Sequence, residues 1–552
     1  MSHLIRTLII IVGVSSFYAQ AQQILFHNVK GYTFLNSGKL VQFNSVVIED
    51  GRVVTTGNHL QANYPKAQQV DGLGKVMLPG LVDGHGHFLG LGFNLLNVDV
   101  RDLGSAELTA KHVAEYATAN PQLQWLKGRG WNQVLWPSKS FPTAKDLDEL
   151  VSDRPVVLDR VDGHAIWVNS KAMALAGIDR NTLSPPGGEI LKDEFGNPTG
   201  VFIDNAESLI KSIIPKPTQQ ETVLAYRKAS EHLLSLGITS MHDAGIGHNA
   251  YQLFRQQVSN GEASVRIYAM LAATDKHLET MLSNGYISDV NDMLSIRSVK
   301  IYGDGALGSR GAALLAPYDD DPKNSGLLVT QRDTLRHLYQ QVLAHNFQIN
   351  IHAIGDKANR IALDEFEFAF KTRPQARALR HRVEHAQVVN VNDIPRFKEL
   401  GILPSMQPTH ATSDKNMAQD RVGLNRLRGA YAWQSFLKQG SKVVAGSDFP
   451  VELANPFFGL HAAVTRQGRD NQPAGGWLAH EALTVEQAFK AFTLDAAYGA
   501  HQDSVLGGLE PGKWADFILV DKEIFEIAPS ELWTVKVLET WLAGERVYNA
   551  QN

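Results

Sequence analysis

Two histidines separated by one glycine, His85-Gly86-His87, end an apolar phrase that runs Val76-Met77-Leu78-Pro79-Gly80-Leu81-Val82-Asp83-Gly84. Side chains of an extended segment alternate faces with a period of two, so both imidazoles point the same way. Paired neutral imidazoles suit Zn, Fe, Ni or Mn. Taken alone, such a pair is more often a surface feature than a metal site. Four further residues change that weighing. His352 ends the phrase 348–352, His385 ends 381–385, Asp448 ends 442–448, and Lys300 sits inside the phrase 298–305. A bland structural role would have to hold independently at each of these positions.

Residues so far apart in the chain need elements that bring them together. The middle of the chain alternates strand-like and helical stretches, which argues for a parallel sheet with helices outside. Eight strands are predicted, at 81–84, 238–242, 265–270, 299–303, 348–352, 382–385, 403–407 and 442–447. Eight favours a closed (β/α)8 barrel, whose C-terminal strand ends converge on one face. The gap between the first two strands is too long for one βα unit and predicts an insertion over 95–230. It carries the Trp-rich phrases around Arg129, Trp131, Trp136, His164 and Trp167. Arg129, His164 and Arg310 are candidates to contact a polar group of the substrate, and Trp131, Trp136 and Trp167 to wall it. The alternative is that each tryptophan is core packing and each polar residue an internal tie.

The ends of the barrel region, placed at 76–500, are flanked by short β-rich segments over 22–75 and 501–552. Asp50-Gly51 is a hairpin signal in the first, and Pro511-Gly512 precedes a strand-like run in the second. The two ends are expected to pair into one small β-sandwich. Residues 1–21 read as a cleavable signal peptide: Arg6, the apolar run 8–17, then Ala19-Gln20-Ala21. The run is too short for a span of about 20 residues, so export, to a bacterial periplasm, is expected with no stable membrane span after cleavage.

Composition narrows the partners. The chain has 552 residues, 44% hydrophobic and 20% charged, with a net charge of -5. No Lys/Arg-rich stretch marks a nucleic-acid footprint, and a small molecule is the expected substrate. A homodimer is a possible assembly. With no cysteine, thiolate metal sites, cysteine nucleophiles and disulfides are excluded.

The ordered set His-x-His, Lys, His, His, Asp resembles the amidohydrolase superfamily. Three phrases resemble its YtcJ-like branch, also called amidohydrolase family 3, which includes N-substituted formamide deformylase. They are 78–87, 299–310 (Val-Lys-Ile-Tyr-Gly-Asp-Gly-Ala-Leu-Gly-Ser-Arg) and 508–516 (Gly-Leu-Glu-Pro-Gly-Lys-Trp-Ala-Asp). The resemblance covers nearly the whole mature chain and implies two divalent ions, with zinc expected and Mn, Fe or Ni as alternatives. His85 and His87 would bind the more buried ion with Asp448, and His352 and His385 the second. Lys300, carboxylated by CO2, would bridge them. Asp448 would act as base and then acid while an activated water hydrolyses a C–N bond of an N-formyl, N-acyl or cyclic amide. Deamination, dipeptide hydrolysis and non-catalytic ligand binding are the rival readings.

Overall fold

The computed structural model describes residues 23–551 apart from 162, 164, 186 and 187. The leader expected at 1–21 lies outside the described residues, and no helix among those described is long and apolar enough to cross a membrane.

The barrel strands are β1 (Leu81–Gly86), β2 (Ile238–Ile246), β3 (Arg266–Ala272), β4 (Leu294–Tyr302), β5 (Gln348–Ala353), β6 (Arg382–His385), β7 (Leu403–Met406) and β8 (Val444–Ala445). Each pairs in parallel with the next, from β1 through to β8. The seam between β8 and β1 closes without a full ladder. Asp448 N–H donates to the His85 carbonyl and His87 N–H to that of Phe449, both at 2.7 Å. Where the ladder is missing, the Asp83 carboxylate takes its place. It accepts Ser447 N–H at 3.0 Å, Ser447 Oγ at 2.6 Å and His85 N–H at 3.1 Å. Gly446 is needed here because a Cβ would sit 2.4 Å from the His85 nitrogen. This explains why β8 is shorter than the expected 442–447: a side chain, not a strand neighbour, satisfies the backbone.

Val, Ile and Leu fill the barrel and its helix interface. The helix Asp356–Thr372 shows the logic: Ala358, Ile361, Ala362, Phe366, Ala369 and Phe370 are buried at helical spacing. Each large apolar side chain so buried contributes about 1.5–3 kcal/mol.

The chain ends do combine. Phe517–Val520 pairs antiparallel with Val76–Pro79, in a sheet ordered Glu545–Asn549, Val537–Leu542, Phe517–Val520, Val76–Pro79, Lys30–Phe34, Leu40–Phe43. A second sheet contains Ser45–Glu49 and Arg52–Gly57 joined by the Asp50-Gly51 turn, both residues at positive φ. Between the sheets Phe517 stacks on Trp541, and Phe26 meets both edge-on. Asp516 docks this domain on the barrel. Its carboxylate takes Arg266 of β3 in a fork of 2.6 and 3.0 Å, and also Ala543 N–H at 2.8 Å.

The insertion is a unit of its own. Six strands between Val98 and Asp204 form a separate sheet with its own core. Its boundary differs from the expected 95–230. The helix Gln219–Ser235 belongs to the barrel, packing Tyr226 on Phe88 at 4.9 Å between ring centres. An amphipathic helix in isolation does not show which unit owns its apolar face.

Candidate metal centre

The six residues singled out by type and spacing come together at the C-terminal end of the barrel. Asp448 Oδ1 lies 3.1 Å from His87 Nε2 and 3.5 Å from His85 Nε2. Lys300 Nζ is 3.5 Å from the same His85 nitrogen. The His385 ring centre is 4.8 Å from that of His85 and 4.5 Å from that of His352. Ligand atoms of His85, His385 and Asp448 all lie within 4.8 Å of one another.

Backbone conformation aims several of these groups. Asp448 and His385 both adopt positive φ, 64° and 72°, which is uncommon for residues with a side chain and clusters at functional sites. His385 ends β6, and Asp448 follows β8 after Gly446 and Ser447, so both stand at the barrel mouth. Partners behind the ring fix the imidazoles. His85 Nδ1 meets Glu384 Oε2 at 2.5 Å, and His385 Nδ1 meets Gln407 Oε1 at 2.8 Å. Nε2 of each ring is thereby left for the centre. Glu384 is itself gripped by Arg382, with Nε 2.7 Å from Oε1 and Nη2 3.0 Å from Oε2. That guanidinium also donates to the Gly84 carbonyl and Ser405 Oγ.

The electrostatics favour neutral imidazoles and an ionised carboxylate. Burial, with Lys300 alongside, pushes His85 down to about 4 and His352 to about 3, and takes His385 well below its ordinary value through burial and the neighbouring histidines. Burial alone would raise Asp448, but His87, His85 and His385 outweigh it and hold the carboxyl well below the usual range. Arg382 and His85 likewise overcome burial at Glu384. Burial lowers Lys300. Among the described residues Lys300 forms no ion pair. Asp304, an alternative partner for it, instead accepts backbone N–H groups of Ala313, Ile354 and Gly355 at 2.8–2.9 Å. It pins the loop after β4 to the end of β5.

These donors fit a divalent transition metal. Buried neutral imidazoles beside one anionic carboxylate are its ordinary ligand set. Among the described residues the buried His352 Nε2 also has no hydrogen-bond partner, a cost that a bound ion would remove.

The expected substrate contacts fare differently. Trp131 is only 1% exposed. It packs against Trp136 and Trp167 and donates Nε1–H to the Leu158 carbonyl at 2.8 Å. These tryptophans are the interior of the insertion, not a substrate wall, because each apolar face is already covered. Arg310 is tied within the protein: Asp320 holds its guanidinium at 2.9–3.1 Å, and Arg421 joins the same carboxylate. The fork ties together the loop after β4. Arg129 donates to the Val161 carbonyl at 3.1 Å within the insertion. His164 lies outside the described residues.

Sequence reasoning passed over Glu384, Arg382, Gln407 and His410. The signal for two of them was available: His381-Arg382-Val383-Glu384-His385 places an acid and a base on a short buried strand, where a charge needs a partner.

A parallel barrel carrying buried imidazoles, a carboxylate and a buried lysine at its C-terminal mouth defines a metal-dependent hydrolase. Residues 68–548 match the Amidohydrolase family, and the chain belongs to it. It is 32% identical over 537 residues to the putative amidohydrolase YtcJ of Bacillus subtilis, covering 95% of this chain and 99% of that one. It is 25% identical to N-substituted formamide deformylase of Arthrobacter pascens, over 91% and 94% of the two chains. Among solved structures it resembles a metal-dependent hydrolase from Pyrococcus horikoshii, with a TM-score of 0.76, 27% identity, and coverage of 92% and 99%.

Proposed function

We propose that this hydrolase cleaves an amide-type C–N bond of a small molecule, with N-formyl, N-acyl and cyclic amides as the substrate classes. The observation that carries the reading is the position of Asp448. One oxygen faces His85 and His87 while the other is turned away from them toward His410. The likeness to N-substituted formamide deformylase supports the choice of bond.

His85, His87 and Asp448 would hold one ion, and His352 and His385 a second. When bound, divalent metal supplies an acidified water and a Lewis acid for the carbonyl. Asp448, ionised in the resting site, takes the proton released as the water oxygen bonds to the carbonyl carbon. It then hands that proton to the leaving nitrogen as the C–N bond breaks. The products are a carboxylic acid and an amine. Lys300 would serve as the bridge once CO2 is added: a bond would form from Nζ to the carbon of CO2, the nitrogen would lose a proton, and the carbamate would present two oxygens sharing one negative charge. Its burial beside His85, with no carboxylate paired to it among the described residues, supports this. Glu384 and Gln407 keep their histidines turned inward throughout. The leader at 1–21 supports export, with the reaction taking place outside the cytoplasm.

The test is a panel of N-formyl, N-acyl and cyclic amides, with dipeptides and aminated heterocycles alongside, given to protein loaded with zinc or manganese. Release of amine from the amides is expected. Turnover confined to dipeptides, or ammonia released only from the heterocycles, would replace the amide reading with one of those. Metal-loaded protein that binds panel members without turning any over would point to a binding protein.

A further inference from the structure

We propose that His410 is a further catalytic residue, whose Nε2–H donates to the oxygen on the carbonyl carbon as that carbon becomes tetrahedral. The inference rests on the amide-hydrolase reading above. His410 lies on the helix Pro408–Asp414 that follows β7. Its ring is stacked nearly parallel to that of His385, at 13° and 5.9 Å. Nε2 is buried and, among the described residues, has no hydrogen-bond partner. Across the site Nε2 faces Asp448 Oδ2 at 3.6 Å, beyond hydrogen-bond range.

The two oxygens of Asp448 divide the site. Oδ1 faces His87 and His85, and Oδ2 faces His410. A carbonyl carbon attacked within reach of Asp448 therefore sits beside His410 Nε2. The ring also lies in the field of Asp414 and Glu452. Both have partners of their own. Tyr431 and Gln387 donate to Asp414 at 2.7 and 3.0 Å, and Ser413 donates to Glu452 at 2.6 Å. With a carboxylate oxygen facing it, Nε2 is placed to act as a donor in the tautomer that carries its hydrogen there. A buried donor left unmade in the resting protein, bordering the reaction space, stabilises negative charge that appears there only during the reaction. His410 keeps its proton throughout; no bond to it forms or breaks.

Two small probes separate this role from a structural one. Acetate is planar, whereas methylphosphonate presents a tetrahedral oxyanion. Their affinities for the zinc-loaded full chain are measured by calorimetry, with metal content determined in parallel. The native protein should prefer methylphosphonate. His410→Ala should lose about tenfold or more of that affinity while keeping its acetate affinity and its metal. His410→Gln, which retains an amide donor, should lose less. If both probes weaken equally, or if metal is lost from both variants, His410 supports the metal site and the assignment is overturned. If the preference survives in His410→Ala, His410 is not the donor, with the hydrolase reading intact. If the loaded native protein binds neither probe, the amide-hydrolase reading falls and this inference with it.

Discussion

Glu384 Oε2 lies 2.5 Å from His85 Nδ1, and both side chains are completely buried. Arg382 holds the carboxylate from the other side. The pair fixes the His85 ring with Nε2 toward Asp448 and Lys300. Glu384→Gln should therefore weaken metal binding by roughly 10–100-fold without emptying the other ligand positions. Competition against a chelator measures it. Unchanged metal affinity would show that the ring is held by packing alone.

Asp448 has a ligand role and a proton role, and the two separate on substitution. Asp448→Asn keeps an oxygen for the metal but cannot accept the proton. Most of the metal should remain while kcat falls by about 10²–10⁴, measured on whichever amide the native protein turns over. Retained turnover in metal-replete Asp448→Asn would assign the base elsewhere.

Lys300 should carry a carbamate. In the intact protein, labelled bicarbonate should give a carbamate carbon signal that is absent from Lys300→Ala. That variant should also hold less metal, and short carboxylic acids should restore part of it by standing in for the lost oxygens. A lysine that takes up no label while the metal complement stays full would refute the bridge.

His381, at the entry to β6, predicts how the fold responds to acid. It is wholly buried against Phe366 and Phe370, its Nδ1 accepts Ile349 N–H at 2.9 Å, and burial pushes it down to about 3. In the unfolded chain it titrates near 6.5. Above that pH neither state is protonated, and its full contribution is present. As pH falls from 6.5 toward 3, only the unfolded state gains a proton, so stability drops by up to about 1.4 kcal/mol per pH unit. His381→Asn keeps an acceptor for Ile349 but does not titrate. It should be less stable at neutral pH by about 1–3 kcal/mol through lost packing, and its stability should fall less steeply with acid. Denaturant midpoints at several pH values measure this, and parallel slopes would exclude His381 as the acid-sensitive group.

Much of the centre is legible in the chain itself. His85, His87, Lys300, His352, His385 and Asp448 each stand in or at the end of a short apolar phrase. A strand's direction and its period of two are local properties, so the sequence by itself determined which residues a parallel barrel would deliver to one face. The sandwich of the two ends was legible from strand composition and the Asp50-Gly51 turn. Tertiary structure alone decided what stands behind and beside the donors. Glu384 and His85 are 299 positions apart, and no local pattern shows which buried acid meets which imidazole across a closed barrel. His410 was invisible for the same reason: a histidine on a short helix looks alike whether it faces solvent or a catalytic carboxylate. Trp131 and Arg310 show the converse. Apolar area and positive charge are the same in a pocket wall as in a core or a loop tie, and only the neighbours, Trp136 and Trp167 for one and Asp320 for the other, determine which role is filled.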